Sequence, residues 1–258
     1  MVPASAVVPS ISAGTGDADM IAVNRVFYDA LWRDCRLQQP DRFNTWPEVS
    51  RLAAAAADRL EVGPGLRPRL PIAGTVFIDL SAEAVTRLTG AGGDARVGQA
   101  GALPFADAAF DLVCALDVVE HVADDRAVFA ELARVTRPGG TLLLSVPLHA
   151  HAWTEFDAMV GHFRRYEPDH LLACLDEHGF TIERSAIFGM QPTRTWMLRF
   201  GMWWLKHFRR RAMFFYNRLF MPIALRQQKP LVFSPGLVDP AGVDEVFMIC
   251  RRDGPHAV

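Results

Sequence analysis

The residues of this 258-residue chain that could do chemistry fall in three short runs. The first is Leu60-Glu61-Val62-Gly63-Pro64-Gly65, followed by Asp79 in Val76-Phe77-Ile78-Asp79-Leu80. Glycine reaches positive φ at little cost and lets a ligand approach the main chain closely. A carboxylate at the tip of the next strand is placed to accept hydrogen bonds from a ribose diol. The second run is Asp117, Glu120 and His121, spaced D-x-x-E-H, and the third is Gly161-His162-Phe163-Arg164-Arg165-Tyr166. An imidazole can take up or release a proton near neutral pH. A nicotinamide dinucleotide site would need G-x-G-x-x-G, with the third glycine packing helix against strand. Pro68 stands at that position, which argues against one.

Elements of two periodicities must hold these runs in place. Strand-like apolar stretches occur at 60–62, 75–80, 95–98, 110–116, 141–146, 180–188 and 245–250. Helical patterns lie between several of them, at 82–89, 124–135 and 168–178. In the second of these Val128, Leu132 and Val135 share a face, and Pro138-Gly139-Gly140 reads as its stop. Upstream, 19–38 has the spacing of an amphipathic helix with Asp19 as N-cap, and Thr45-Trp46-Pro47 opens another through the alanine run 53–57. Strands alternating with helices predict an α/β fold with a mostly parallel sheet and helices on both faces. Residues 1–18 read as a disordered leader, and 19–258 as one domain with N-terminal helices at 19–57 and an insertion at 189–242. With Arg25 as the first basic residue and Pro3, Pro9 and Gly14 in the opening stretch, no signal peptide is read.

Composition narrows the class. Half the residues are apolar and 22% are charged, which excludes wholesale disorder. Cys35, Cys114, Cys174 and Cys250 stand far apart with no CxxC pair, which suits reduced, buried thiols in a cytoplasm. No apolar run reaches the length of a membrane span.

The three runs and the segments around them resemble the class I S-adenosylmethionine (SAM)-dependent methyltransferases, in the small-molecule group that includes the ubiquinone-pathway O-methyltransferases. The resemblance rests on 60–65 and Phe77-Ile78-Asp79-Leu80-Ser81, then Gly98-Gln99-Ala100 with Leu103-Pro104-Phe105 and Phe110-Asp111-Leu112-Val113. Val119-Glu120-His121-Val122 follows, then 132–140, 161–166 and Glu177-His178-Gly179-Phe180. No single motif decides, but this order over roughly 58–188, plus the last strand, is specific. It implies a Rossmann-like sheet of seven strands with an antiparallel last strand. It also implies a cofactor set of Glu61, Gly63, Gly65, Asp79, Leu80, Gln99, Ala100, Leu103 and Asp117. SAM would lie across Gly63–Gly65, with its ribose on Asp79 and its adenine near Gln99, Ala100 and Leu103.

Two departures stand out. Gln99 replaces the usual acid for the adenine amino group, although its carbonyl oxygen can still accept. Only 13 residues separate Gly65 from Asp79, Pro68 and Pro71 among them, so the usual helix there should shrink to about one turn. Arg67 or Arg69 would then supply the positive charge facing the SAM carboxylate.

Methyl transfer from a sulfonium is an in-line displacement, so the protein aligns the partners and, where needed, removes a proton. His121 is the candidate base or substrate orienter, or else a loop-packing histidine. His162 either lines the acceptor pocket or pins its loop. The D-x-x-E-H run resembles the E-x-x-E-H that ubiquinone-pathway enzymes associate with a divalent cation, for which Mg²⁺ would be the hard-ligand choice. A helix-start Asp with a nearby Glu is also a common cap, and no metal is assigned. The acceptor is expected to be small and lipophilic, methylated at oxygen.

Charge is unevenly spread. From 184 to 238 there are ten basic residues and no acid, so the rest of the chain carries −12 within a net charge of −2. On a helical wheel over 196–211, Arg199, Lys206, Arg209 and Arg210 fall opposite Trp196, Phe200, Trp203 and Trp204. Phe214, Phe215, Leu219, Phe220 and Met221 extend the apolar character. Such a segment lies on an anionic membrane at the inner face through 196–229, or forms a lid or dimer contact, or packs plainly into the core. Nucleic acid is not expected, because the body is acidic and no recognised binding motif is present.

Overall fold

Parallel strands buried on both faces demand apolar side chains at every position, and the central strands of this chain meet that demand. The computed structural model describes residues 28, 32, 33, 35–189, 200, 201, 203, 204 and 207–254. Its strands are β1 (Arg59–Val62), β2 (Thr75–Asp79), β3 (Asp94–Val97), β4 (Phe110–Leu116), β5 (Thr136–Pro147), β6 (Phe180–Phe188), β7 (Ser234–Pro235) and β8 (Glu245–Arg252). They form one sheet in the order β3-β2-β1-β4-β5-β8-β6-β7. The strands from β3 to β5 pair in parallel, and β8 runs antiparallel to both β5 and β6. The architecture is the Rossmann-like one expected, with an eighth, two-residue strand that the insertion adds beside β6.

Alternate residues of β4 serve opposite faces. Val113 and Ala115 join Leu60, Val62, Leu142 and Leu144 on one side. There the sheet is covered by α3 (Asp125–Val135), through Val128, Phe129, Leu132 and Val135, and, after the short α4 (Glu155–Val160), by α5 (Pro168–Glu177), through Leu171, Cys174 and Leu175. Leu112, Cys114 and Leu143 face the other side, against Val49 and Ala53 of α1 (Trp46–Ala55). Phe77 packs there with Leu88 of α2 (Ala82–Gly90). Register decides where the chemistry gathers. Val62 pairs with Ile78 and Ala115, and Leu116 with Ser145, so Gly63, Asp79, Asp117 and Ser145 emerge at one edge.

Three expectations need correction. Between Gly65 and Thr75 the expected single turn remains, closed by Arg67 N–H to Pro64 O at 3.0 Å, but it is not helical, and an irregular run through Pro68 and Pro71 leads to a second turn at Ala73–Gly74. Pro138-Gly139-Gly140 does not stop α3, which ends at Val135. It lies within β5, which starts five residues earlier than the apolar pattern suggests, with an irregularity opposite Phe110 and Leu112. The insertion folds as α6 (Arg209–Phe215), a π turn at Tyr216–Phe220 and α7 (Met221–Gln227), and Met221 faces inward, only 2% exposed. The leader, most of the 19–38 helix and much of 190–208 fall outside the described residues. The four cysteines are buried, and Cys114, Cys174 and Cys250 carry free thiols.

Candidate functional site

The glycine turn is built as its residues require. Gly63 has φ +65° and Gly65 φ +53°. A Cβ on Gly63 would lie 2.7 Å from Val118 Cγ2, and one on Gly65 only 2.2 Å from Trp32 Cζ2. The Gly65 N–H donates to Asp79 Oδ2 and the Ser81 N–H to Asp79 Oδ1, each at 2.8 Å. Asp79 is therefore a buried carboxylate joining the two strand tips. The adjacent loop is tied on through Gly98 N–H to Asp79 O at 3.0 Å, which brings Gln99 and Ala100 beside the half-buried Leu80. Gln99 is exposed, Ala100 half-buried and Leu103 buried. The Leu103 N–H donates to Glu131 and its carbonyl accepts from Arg134.

Glu61 does something else. Its carboxylate accepts from the main-chain N–H of Arg69 and Leu70, at 2.8 to 3.1 Å, so it ties down the run that replaces the missing helix. Burial pushes its pKa up to about 7. Arg69 is buried with its guanidinium 3.6 Å from the Phe43 ring centroid, away from a role as free charge. Arg67 lies over the Trp32 and Tyr216 rings and donates to the Tyr216 hydroxyl.

A second cluster forms where β4 ends. Asp117 adopts φ +54°, and its Oδ1 accepts from Ser145 Oγ at 2.6 Å. Glu245, at the head of β8, hydrogen-bonds to Asp117; burial and then that neighbour push its pKa well up. Glu120 sits on the short turn Val119–His121, fully buried, with neither carboxylate oxygen hydrogen-bonded. Burial, then Asp117, pushes its pKa well up. His121 Nε2 lies 3.2 Å from the Tyr28 hydroxyl. Burial, then the neighbouring His162, lowers the His121 pKa to about 3, so it is neutral. The rings of His121 and His162 meet edge-on with centroids 4.5 Å apart. His162 Nδ1 is 3.0 Å from Asp157 Oδ1, and Arg165 holds the same carboxylate. Burial and then Glu120, Asp79 and Asp117 raise the Tyr28 pKa, and its ring stacks on Trp32 with centroids 6.0 Å apart.

The structure thus brings together Gly63, Gly65, Asp79, Leu80, Gln99 and Ala100 in one group and Asp117, Glu120, His121 and His162 in another. His149 and His151 stay apart: His149 bonds the Pro240 carbonyl and His151 is exposed. Tyr28, Trp32 and Glu245 are site residues the sequence reading misses. The i,i+4 spacing of Tyr28 and Trp32 and the acid opening the apolar run 245–250 were the available signals.

The ligand atoms of Glu120, His121 and His162 lie within 4.8 Å of one another. That set replaces Asp117 of the D-x-x-E-H run with a second imidazole. Magnesium prefers oxygen ligands, so this donor set does not fit it and no step is routed through that ion.

Residues 60–144 match a family model described as a methyltransferase domain. Over that segment the chain is similar to SAM-dependent methyltransferases. It is 34% identical over 92 residues to an S-adenosylmethionine-dependent methyltransferase of Mycolicibacterium smegmatis, covering 35% of this chain and 36% of that protein. It is 35% identical over 118 residues to a demethylmenaquinone methyltransferase of Mycolicibacterium paratuberculosis, covering 40% and 48%. The chain thus aligns with less than half the length of either relative. Among solved structures, a SAM-dependent methyltransferase of Thermotoga maritima superposes with TM-score 0.53 at 12% identity, over 81% of this chain and 91% of that one. SAM is the cofactor of the first of these relatives. Its fit rests on two positive-φ glycines and a buried carboxylate at the neighbouring strand tip.

Proposed function

We propose that the domain transfers a methyl group to a small, lipophilic acceptor at an oxygen, and that this oxygen is a phenol or enol. Bound SAM would supply an electrophilic methyl on a sulfonium. Gly63 and Gly65 would give its main-chain bed, and Asp79 its ribose contact. Leu80, Gln99, Ala100 and Leu103 would line the adenine end, Asp117 the methionine end, and Glu61 would hold the turn from beneath.

The observation that carries the oxygen reading is the Tyr28 phenol on His121 Nε2 at 3.2 Å. That phenol stands in for the hydroxyl of an acceptor. His121 is neutral throughout the physiological range because its pKa is near 3. A base that weak takes no proton from a resting hydroxyl, but it can accept one as the C–O bond forms, because the oxygen being methylated then turns strongly acidic. Tyr28 and Trp32 give the cleft an aromatic wall. The demethylmenaquinone methyltransferase among its relatives agrees with a lipophilic aromatic acceptor. His162, oriented by Asp157, would fix the His121 ring edge-on. Free buried thiols agree with a cytoplasmic setting.

The test is calorimetry with S-adenosylhomocysteine. Wild type should bind, and Asp79→Ala should weaken binding by about tenfold or more, the worth of charge-assisted hydrogen bonds. No heat and no thermal shift at millimolar ligand would remove the cofactor assignment. A second reading is a methyltransferase-fold protein that binds without catalysing. It is favoured by the absent helix after the glycine turn and by Trp32 packed on Gly65. Binding of the nucleoside with no turnover of any phenolic acceptor would support it.

A further inference from the structure

The insertion has two apolar sides, and only one of them packs on the body of the protein. Ala212, Met213 and Met221 are buried, and Met213 and Tyr216 pack with Trp32, Leu66 and Ala84 next to the glycine turn. On the opposite side Phe214, Phe215, Leu219, Phe220 and Ile223 are 41–54% exposed. The layer continues through Trp204, whose ring centroid is 5.4 Å from that of Phe215, to Phe200 and Trp203. Scattered apolar side chains on a surface are ordinary, but a contiguous sheet of them marks a contact. Arg211, Arg218, Arg226 and Lys229 are exposed on the same segment, and no acid occurs from 184 to 238.

The charge decides between occupants. A second copy meeting this face about a two-fold axis would set the same cations against themselves. An anionic lipid surface supplies the missing negative charge, while aromatic and aliphatic side chains enter the headgroup boundary. No helix among the described residues is long and apolar enough to cross a membrane, so the segment would lie in the plane.

We propose that the outer side of α6, the π turn and α7 docks on an anionic lipid surface. Docking stands by itself. Only its consequence, that a lipophilic acceptor enters from the lipid beside Trp32, rests on the methyl-transfer reading.

The full chain is sedimented with vesicles of phosphatidylglycerol and phosphatidylcholine in equal parts, and with phosphatidylcholine alone. It should partition onto the first and much less onto the second. Replacing three cations together, Arg211→Ser, Arg218→Ser and Arg226→Ser, should weaken partition by about a hundredfold, at roughly 1 kcal/mol per basic residue near the surface. Phe214→Ser with Phe220→Ser should abolish stable binding. Both variants should keep the wild-type melting temperature and S-adenosylhomocysteine affinity, which separates docking from folding and from the cofactor site. Absence of binding to anionic vesicles, equal binding to both compositions, or indifference to both variants overturns the proposal. So does a dimer that the Phe214 and Phe220 changes dissociate and that ignores vesicles. Vesicle binding in a protein that fails to bind S-adenosylhomocysteine leaves docking intact and sinks the methyl-transfer reading instead.

Discussion

Tyr28 and His121 form the pair on which the oxygen chemistry turns. If the Tyr28 phenol occupies the position of an acceptor hydroxyl, it must yield when the acceptor binds. Tyr28→Phe removes its hydrogen bond to His121 and with it the competition, so KM for the acceptor should fall while kcat holds. A loss of kcat at unchanged KM would make Tyr28 part of the reacting set. His121→Ala should lower kcat by about a hundredfold, the usual worth of a positioned proton acceptor. The pH profile gives an independent check. An ordinary histidine with pKa near 6.5 protonates on acidification and stops accepting. Burial favours the neutral ring of His121 and moves that limb down toward pH 3. Activity should therefore show no His121-dependent loss from pH 7 to pH 5, and an acid limb near pH 6.5 that His121→Gln removes would contradict the buried, neutral assignment. His121 was legible as the candidate base, but its partner was not, because Tyr28 lies 93 positions away and only tertiary packing joins them.

At the scale of elements, β4 and β6 were legible to the residue, since each is an unbroken strand-forming run bounded by turn residues. The gathering of Gly63, Asp79 and Asp117 followed too, because parallel pairing carries the ends of consecutive strands to one edge. What escaped was structure made by side chains reaching the main chain. Glu61 holds 69–70 without a helix. Strand β5 begins at Thr136 and runs through Pro138-Gly139-Gly140 because pairing with β4 overrides local propensity there. The glycine turn offers a direct test of one such contact. Gly65→Ala imposes positive φ on a residue with a Cβ and drives that Cβ into Trp32. Strain and overpacking together should cost about 2–4 kcal/mol. In a chain of this size that lowers the melting temperature by roughly 4–16 °C. Trp32→Ala should relieve the steric part, so the double variant should be less destabilised than the sum of the two single variants. Strict additivity would mean that Trp32 does not pack on Gly65 in solution.

For the whole molecule, the sheet puts two surfaces of opposite use on one thin segment. The inner side of α6 touches Trp32 and Leu66 against the glycine turn, and Arg67 reaches Tyr216 from that turn. The outer side is the lipid-docking face. An element a single helix thick cannot be ordered on one side without consequence for the other, and a coupling between two sites is reciprocal. If docking fixes α6 against Trp32, anionic vesicles at saturation should change S-adenosylhomocysteine affinity by about fivefold or more, the lower end of ordinary coupling. Saturating S-adenosylhomocysteine must then change vesicle affinity by the same factor. Titration calorimetry with and without vesicles, and sedimentation with and without the nucleoside, measure the two arms separately. Tyr216→Ala, which removes the contact with Arg67, should reduce both factors together. Equal affinities in both arms would reduce the segment to an anchor, with no bearing on the cleft it covers. Unequal factors would instead require a third state, because two linked equilibria allow only one coupling constant.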